Sequence, residues 1–500
     1  MNDWFASMWW FLPTVGVLLH VGTILYILYR ESDDVSERTF WLLTVTLLPM
    51  AGIVLFLFFG ITRIRPLRRM SRQHDAFERE RPRRRWLGEG VAALDREVVH
   101  FRSPAAVREQ EPHRIFEQLF PTSLLLEGNG GEILRNGTEA YPRMLADIRR
   151  ARHTIRMQSF ILMSDRAGRR ILRTLEVKAA KGVDVKVLYD GFGSFRSYFS
   201  RYFLRLLLRP PKNFEMRPFS PLNLLTPWQF QLRNHRKLLV IDGRVAYSGG
   251  MNISEENEAS EKAPPTRRIH DLHARLTGPV VIPFLLSFFQ DWAYTTRRQG
   301  VHDLTAEGEF PAEIARGGNT RIRVLSSGTY GRYLGTRDMF FAAVTAARRS
   351  VVILTPYFVP GATFEEMLRM AAARGVEVKL VVPRRNNHWF VDLAARSSYR
   401  RLAAAGIRIF ERRGAFSHIK AMLIDDTWGF MGSSNCDSRS FRLNFELDFC
   451  FEGGELMTQM RQVVRAEFAG SAEIPRARIE AVPFLRRLAE NCCSLLSPIL

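Results

Sequence analysis

The sequence predicts an α/β protein whose two pseudo-symmetric halves form one active site, preceded by a two-helix transmembrane hairpin. Three observations predict it. Two long uncharged runs open the chain, segments of one half reappear in the other, and the frame H-x-K-x4-D-x6-G-x2-N occurs twice, beginning at His235 and at His418. A chain of 500 residues with 46% hydrophobic content is ample for one large core or two medium ones. Its net charge of +21 points to an anionic partner, nucleic acid or acidic lipid, without choosing between them. The four cysteines, Cys436, Cys450, Cys492 and Cys493, form no CxxC pair and suit reduced thiols.

The expected hairpin occupies residues 1–62. Residues 4–29 and 39–62 carry no formal charge, and each run exceeds the roughly 20 residues needed to cross a bilayer. The link between them, "RESDDVSER", is too short for a domain. Residues 63–120 read as a basic juxtamembrane linker, with ten arginines against Asp75, Glu78 and Glu80 in residues 63–85. The positive-inside rule puts that side, and the body that follows, in the cytoplasm.

The body reads as a first half, 121–310, a second half, 311–475, and a tail, 476–500, with the character of an interfacial helix. "ARHTIRMQSFIL" is matched by "ARRSVVILTPYFV", and "KGVDVKVLYD" by "RGVEVKLVVP". Each pair alternates helix and strand, which predicts a mainly parallel sheet in each half. Residues 196–211 mix aromatics, leucines and arginines and read as a second interfacial candidate.

The duplicated frame carries the chemistry. "HRKLLVID" reads as a strand, so His235 and Lys237 share a face. Asp242-Gly243 is a turn signal. A turn centred on Gly243 and Arg244 sets His235 opposite Asn252, and the same arithmetic sets His418 opposite Asn435. Two such hairpin ends facing each other bring together paired histidines, lysines and asparagines. Lysines neutralise phosphate oxygens and asparagine amides donate to them. One imidazole attacks phosphorus while the other protonates the leaving alcohol. The candidate catalytic residues are therefore His235, Lys237, Asp242, His418, Lys420 and Asp425. The two aspartates, at the turn end, read as supports more than as proton carriers. Asn252 and Asn435 are candidates for holding substrate. Asp271, 36 residues after His235, and Glu446, 28 after His418, are candidates to line the site and orient an imidazole.

These residues resemble the phospholipase D superfamily, whose two HKD motifs meet in one site. The resemblance is closest to its bacterial cardiolipin synthases. It rests on "LYDGFGS", "TPYFVP", "GSSNCDSRSFRLNFE" and the hydrophobic N-terminus, and covers nearly the whole chain. It implies a phosphatidyltransferase of the bacterial inner membrane, multi-pass, acting on phosphatidylglycerol, with no nucleic acid partner. It also implies no cofactor or metal, since lysines supply the positive charge. In the implied mechanism His235 attacks the phosphate of one phosphatidylglycerol and His418 protonates the departing glycerol. The hydroxyl of a second phosphatidylglycerol then attacks the phosphatidyl-histidine, giving cardiolipin. A membrane-bound lipid hydrolase with water as acceptor and a membrane-tethered nuclease are the alternatives. Product identity separates them: cardiolipin plus glycerol, phosphatidic acid, or a cut oligonucleotide.

Overall fold

The computed structural model describes residues 2–29, 35–60, 98–219, 231–258, 264, 268–296, 311, 313–328 and 335–497, with side chains at 2–13 and 36 excepted. The expected basic run at 63–85 and most of the link at 30–38 lie outside the described residues.

The first half contributes β1 (Leu126–Arg135), β2 (Thr154–Ser159), β3 (Asp184–Asp190), β4 (Phe214–Phe219), β5 (Leu238–Ile241), β6 (Val245–Gly249), β7 (Ile269–His270) and β8 (Leu272–Thr277). The second contributes β9 (Thr320–Ser327), β10 (Ser350–Leu354), β11 (Phe358–Val359), β12 (Glu377–Pro383), β13 (Arg408–Arg412), β14 (Phe416–Ser417), β15 (Ala421–Ile424), β16 (Trp428–Gly432), β17 (Cys436–Asp437), β18 (Glu446–Glu452) and β19 (Ser471–Glu473). Fifteen of these strands form one sheet, in the order β19-β13-β12-β10-β15-β16-β18-β9-β1-β8-β6-β5-β2-β3-β4. Read outward from the β9–β1 junction, seven strands on one side repeat the seven on the other, and β19 adds an eighth at one edge. The duplication in the sequence is thus a duplication of topology.

The expectation of a mainly parallel sheet holds only at the flanks. The β2-β3-β4 and β10-β12-β13 sets are parallel. The β5–β6 and β15–β16 hairpins, and β8, β1, β18 and β9 beside them, pair antiparallel. Hairpins need only a tight turn, whereas the parallel pairs are joined through helices such as Arg166–Ala180 and Ala362–Ala373. One buried cluster takes Leu276, Phe284 and Phe288 from the first half and Leu447, Phe449 and Met457 from the second, so the halves share a core.

The register of both hairpins departs by one residue from the sequence arithmetic. Ile241 faces Val245 and Ile424 faces Trp428, leaving three-residue turns. Asp242 (φ 49°) and Gly243 (φ 61°) occupy the left-handed region in one turn, and Asp425 (φ 52°) and Asp426 (φ 58°) in the other. Aspartate tolerates that region better than most residues, which lets the turn begin one position earlier than Asp-Gly alone suggests.

The expected transmembrane hairpin is not supported. Among the described residues no helix is long and apolar enough to cross a membrane. The second uncharged run is broken at Pro49, which forces Leu48 to φ −128°, ψ 69°. It becomes a helix at Val35–Leu47, another at Pro49–Leu55 and a π-turn at Phe56–Gly60. The first run is one helix, Asn2–Tyr29.

The two interfacial candidates are short helices. Arg201–Leu208 buries Phe203 and Leu206, while Phe199 and Leu208 are exposed. Phe484–Ser494 exposes Phe484, Leu485 and Leu488.

Candidate active site

The main chain places each motif histidine against the opposite half. His235 lies just before β5, where its N–H donates to Phe445 O (2.8 Å) and Phe445 N–H donates to Arg233 O (2.8 Å). His418 follows β14, which pairs with β7, and its N–H donates to His270 O (2.7 Å). Phe445 and His270 immediately precede Glu446 and Asp271. The pairing therefore delivers one carboxylate of each half to the imidazole of the other.

The side chains complete that exchange. His235 Nδ1 lies 3.0 Å from Glu446 Oε2 and 2.9 Å from Ser433 O. A carbonyl can only accept, so Nδ1 carries the proton and Nε2 keeps its lone pair free of it. His418 Nδ1 lies 2.7 Å from Asp271 Oδ2. Asp271 and Glu446 are fully buried behind the imidazoles. The sequence spacing counted Asp271 from His235 and Glu446 from His418; the structure crosses these pairs.

Both carboxylates are held as anions. Burial works to raise Asp271, but Lys420 and His418 pull it below the ordinary carboxylate range. Burial likewise opposes Glu446, and His235 with Lys237 outweighs it. Glu446 also accepts from Ser433 Oγ (2.5 Å), Ser440 Oγ (2.9 Å) and Asn444 Nδ2 (3.1 Å). These donors fix its rotamer and hence the ring of His235.

The lysines join the two motifs into one electrostatic unit. Burial brings Lys237 down to about 7, with Glu446 opposing and Lys420 adding to the shift. Burial brings Lys420 down to about 8, opposed by Asp271 and Glu446. Burial depresses His235, with Lys237 and Lys420 both contributing. Burial and then Lys420 depress His418 to about 3, and Lys237 contributes across the interface. Lysine Nζ atoms bridge to their own histidine carbonyls, Lys237 to His235 O at 2.5 Å and Lys420 to His418 O.

Asn252 and Asn435 are buried nearby. Asn252 Oδ1 accepts from Ile161 N–H (3.2 Å), and Asn435 N–H donates to Ser440 Oγ (3.1 Å). Asp242 and Asp425 stand apart from the imidazoles, at the turn ends of their strands. Asp242 accepts from the N–H groups of Arg152 (2.8 Å), His153 (2.8 Å) and Thr154 (2.9 Å). Asp425 does the same for Arg348 (2.9 Å), Arg349 (2.7 Å) and Ser350 (2.8 Å). They tie each hairpin to the start of β2 and β10, at the end of the hairpin away from the imidazoles.

Several contributors carry no spacing signal in the sequence. Phe160 packs edge-on to His235 with centroids 4.8 Å apart, and Tyr357 to His418 at 6.2 Å. Asp448, pushed up to about 7 by burial and then by Glu446, is held by Ser433 and Ser434 N–H and by Thr336 Oγ1. Only "SFIL", "TPYFV" and the serines of "GSSN" hinted at them.

A family model described as "Cardiolipin synthase, PLD-like domain" matches residues 144–262 and 340–467, which contain both motifs. A cardiolipin synthase of Staphylococcus aureus is 30% identical over 492 residues, covering 97% of this chain and 94% of that protein. The chain belongs to the cardiolipin synthase family of phospholipase D-like proteins. A cardiolipin synthase of Geobacillus kaustophilus is likewise 30% identical, over 484 residues, covering 95% of this chain and 91% of that one. Among solved structures, a phosphatidylserine synthase of Haemophilus influenzae shares the family's fold, with a TM-score of 0.60 at 16% identity over 77% of this chain and 99% of that one.

Proposed function

We propose that the chain is a phosphatidyltransferase that makes cardiolipin and glycerol from two molecules of phosphatidylglycerol. The observation that carries this reading is the crossed pair of imidazole–carboxylate couples, His235–Glu446 and His418–Asp271, with Lys237 and Lys420 between them. The family relationship over nearly the whole chain supports the substrate class.

His235 Nε2 attacks phosphorus, the P–O bond to glycerol breaks, and His418 Nε2 gives that oxygen its proton. In the free enzyme His418 is depressed to about 3, so the proton must be taken up as substrate binds. The phosphodiester supplies the means: its negative charge offsets the two lysines and raises the imidazole toward neutral pH. The terminal hydroxyl of the second phosphatidylglycerol then gives its proton to His418 and attacks phosphorus. The N–P bond breaks, cardiolipin forms and His235 is restored. Lys237 and Lys420 neutralise the equatorial oxygens throughout, and Asn252 and Asn435 hold them.

The protein acts at a membrane. Exposed Val17, Leu18, Leu25 and Leu28 on the first helix, and Leu43, Leu47, Met50 and Val54 after it, give the N-terminal helices an apolar exterior suited to lipid. The finer reading, a hairpin through the inner membrane with the body in the cytoplasm, rests on the uncharged runs and the arginines of 63–85.

The test is incubation of phosphatidylglycerol vesicles with the protein in EDTA. The wild type yields cardiolipin and glycerol, and His235→Ala and His418→Ala each lose at least about 10²–10⁴-fold. Phosphatidic acid in place of cardiolipin would overturn the transferase assignment.

A further inference from the structure

The break at Leu48–Pro49 does more than end a helix. Trp41 and Phe56 are 15 residues apart in sequence. One straight helix would set them about 22 Å apart. Their ring centroids are 5.4 Å apart. The backbone of Gly52 approaches the Val35–Leu47 helix so closely that an added Cβ would meet Thr44 O at 2.5 Å and Val45 Cα at 2.8 Å. The second uncharged run therefore folds back on itself. Trp41, Val45 and Phe56 are buried inside the bend, together with Ile27 of the first helix. Leu43, Leu47, Met50 and Val54 are exposed on its outside, and residues 39–60 hold no formal charge.

Both ends of the run meet the catalytic body at one place. Glu37 pairs with Arg442, and Phe58 O accepts from Gln231 Nε2 (3.0 Å). Gln231 O in turn accepts from Arg439 Nη2 (3.0 Å). Arg439 and Arg442 sit one turn apart on the short helix Ser438–Arg442. A straight helix would separate Glu37 from Phe58 by about 31 Å, close to the roughly 30 Å of a bilayer's hydrocarbon core. A run that crossed the membrane would leave only one of them on the body's side. Here both are on it.

The limbs of the bend are also short. The 13 residues of Val35–Leu47 reach about 20 Å and the seven of Pro49–Leu55 about 10 Å. Neither matches the core thickness, and apolar helices of 10–14 residues suit re-entry better than crossing. The bend itself is compatible with lipid. Leu48 N–H donates to Thr44 O (3.0 Å), and Pro49 brings no N–H to leave unpaired there.

We propose that residues 39–60 form a re-entrant helical loop. It enters the bilayer from the body's side, turns among the acyl chains at Leu48–Pro49 and returns to the side it left. Lipid is the occupant of its outer face because that face is apolar, lacks charge and continues the exposed leucines of the first helix. The inference goes beyond the cardiolipin reading and does not depend on the product formed. It keeps the body on the side of the arginines of 63–85, and it replaces the crossing expected of the second run. The anchoring helix begins three residues after Asn435. The loop thereby holds the second motif near the headgroups of the leaflet it enters.

The test labels cysteines of the full-length protein in sealed membrane vesicles, right-side-out and inside-out, with a membrane-impermeant maleimide. Native Cys492 is exposed on the body and reports the body's side, whereas Cys436 and Cys450 are buried. Val35→Cys, placed in a Cys492→Ser/Cys493→Ser background, probes the start of the run. Leu47→Cys in the same background probes the tip. Both side chains are exposed. Val35→Cys labels in the vesicle orientation that labels Cys492, with loss of signal in the other. Leu47→Cys labels only after detergent. Labelling of Val35→Cys in the opposite orientation, or only after detergent, overturns the loop. Labelling of Leu47→Cys from either side without detergent overturns it as well, because the tip would then lie outside the lipid.

Discussion

At the scale of single residues, the crossed couples make the two histidines separable by experiment. Glu446 orients the ring assigned to attack, and Asp271 the ring assigned to carry the proton. A substrate whose leaving group departs without a proton, such as a phosphatidyl p-nitrophenol, distinguishes them. Asp271→Gln and His418→Ala regain a rapid burst of nitrophenol with it, whereas Glu446→Gln stays down by about 10²–10⁴-fold and His235→Ala gives no burst. A burst from His235→Ala would transfer the nucleophile to the other half. The lysines set the pH dependence. Lys237 at about 7 and Lys420 at about 8 neutralise phosphate only as ammonium ions. Raising the pH through that window removes their protons, so kcat/KM, which reports the free enzyme, falls there as a coupled pair. Bound phosphodiester favours the charged forms, so kcat stays level to higher pH. A kcat/KM profile that remains flat through both values would show that the lysines do not set the limb.

At the scale of elements, the HKD aspartates belong to folding. Each collects three backbone N–H groups at the start of the neighbouring antiparallel strand, β2 or β10, from a residue in the left-handed region. Asp425→Ala removes the acceptor and puts a less tolerant residue at φ 52°. It should destabilise by about 2–3 kcal/mol, read from denaturant unfolding, while activity per folded molecule changes less than about tenfold. A stable but inactive variant would return Asp425 to the chemistry. These hairpins also show what a sequence can and cannot convey. The strand and the turn signal were legible from alternation, although the strand begins only at Leu238 and leaves His235 and Lys237 just ahead of it. Turn length was not, because it depends on which residues accept positive φ, and a left-handed aspartate moved the register by one. Residues 39–62 illustrate the same limit: composition announces an apolar run, but Pro49 decides where the helix stops.

At the scale of the whole molecule, the duplication was legible because repeated segments need only be compared with each other. The exchange of Asp271 and Glu446 between halves was not, since spacing along a chain says nothing about which half lies opposite. Nor could the residue between His235 and Lys237 be assigned a role. Arg236 proves to be the staple of the junction. Fully buried, it pairs with Asp291 (2.9 Å) and donates to Ser287 Oγ (2.9 Å) in its own half. It also donates to Ser327 O (2.8 Å) and Glu446 O (3.1 Å) in the other. Arg236→Met strands Asp291 in a site that already favours its neutral form through burial. The expected cost is about 3–5 kcal/mol, and Arg236→Met/Asp291→Leu recovers much of it, because the uncompensated group has gone. Since the halves share a core, the loss should not stay on one side. Trp292, buried in the first half, and Trp428, buried in the second, are natural reporters. In single-tryptophan versions of the variant, both unfolding curves shift together to lower denaturant. A Trp292 curve that moves alone would mean that the two halves unfold separately, and that the continuous sheet does not couple them.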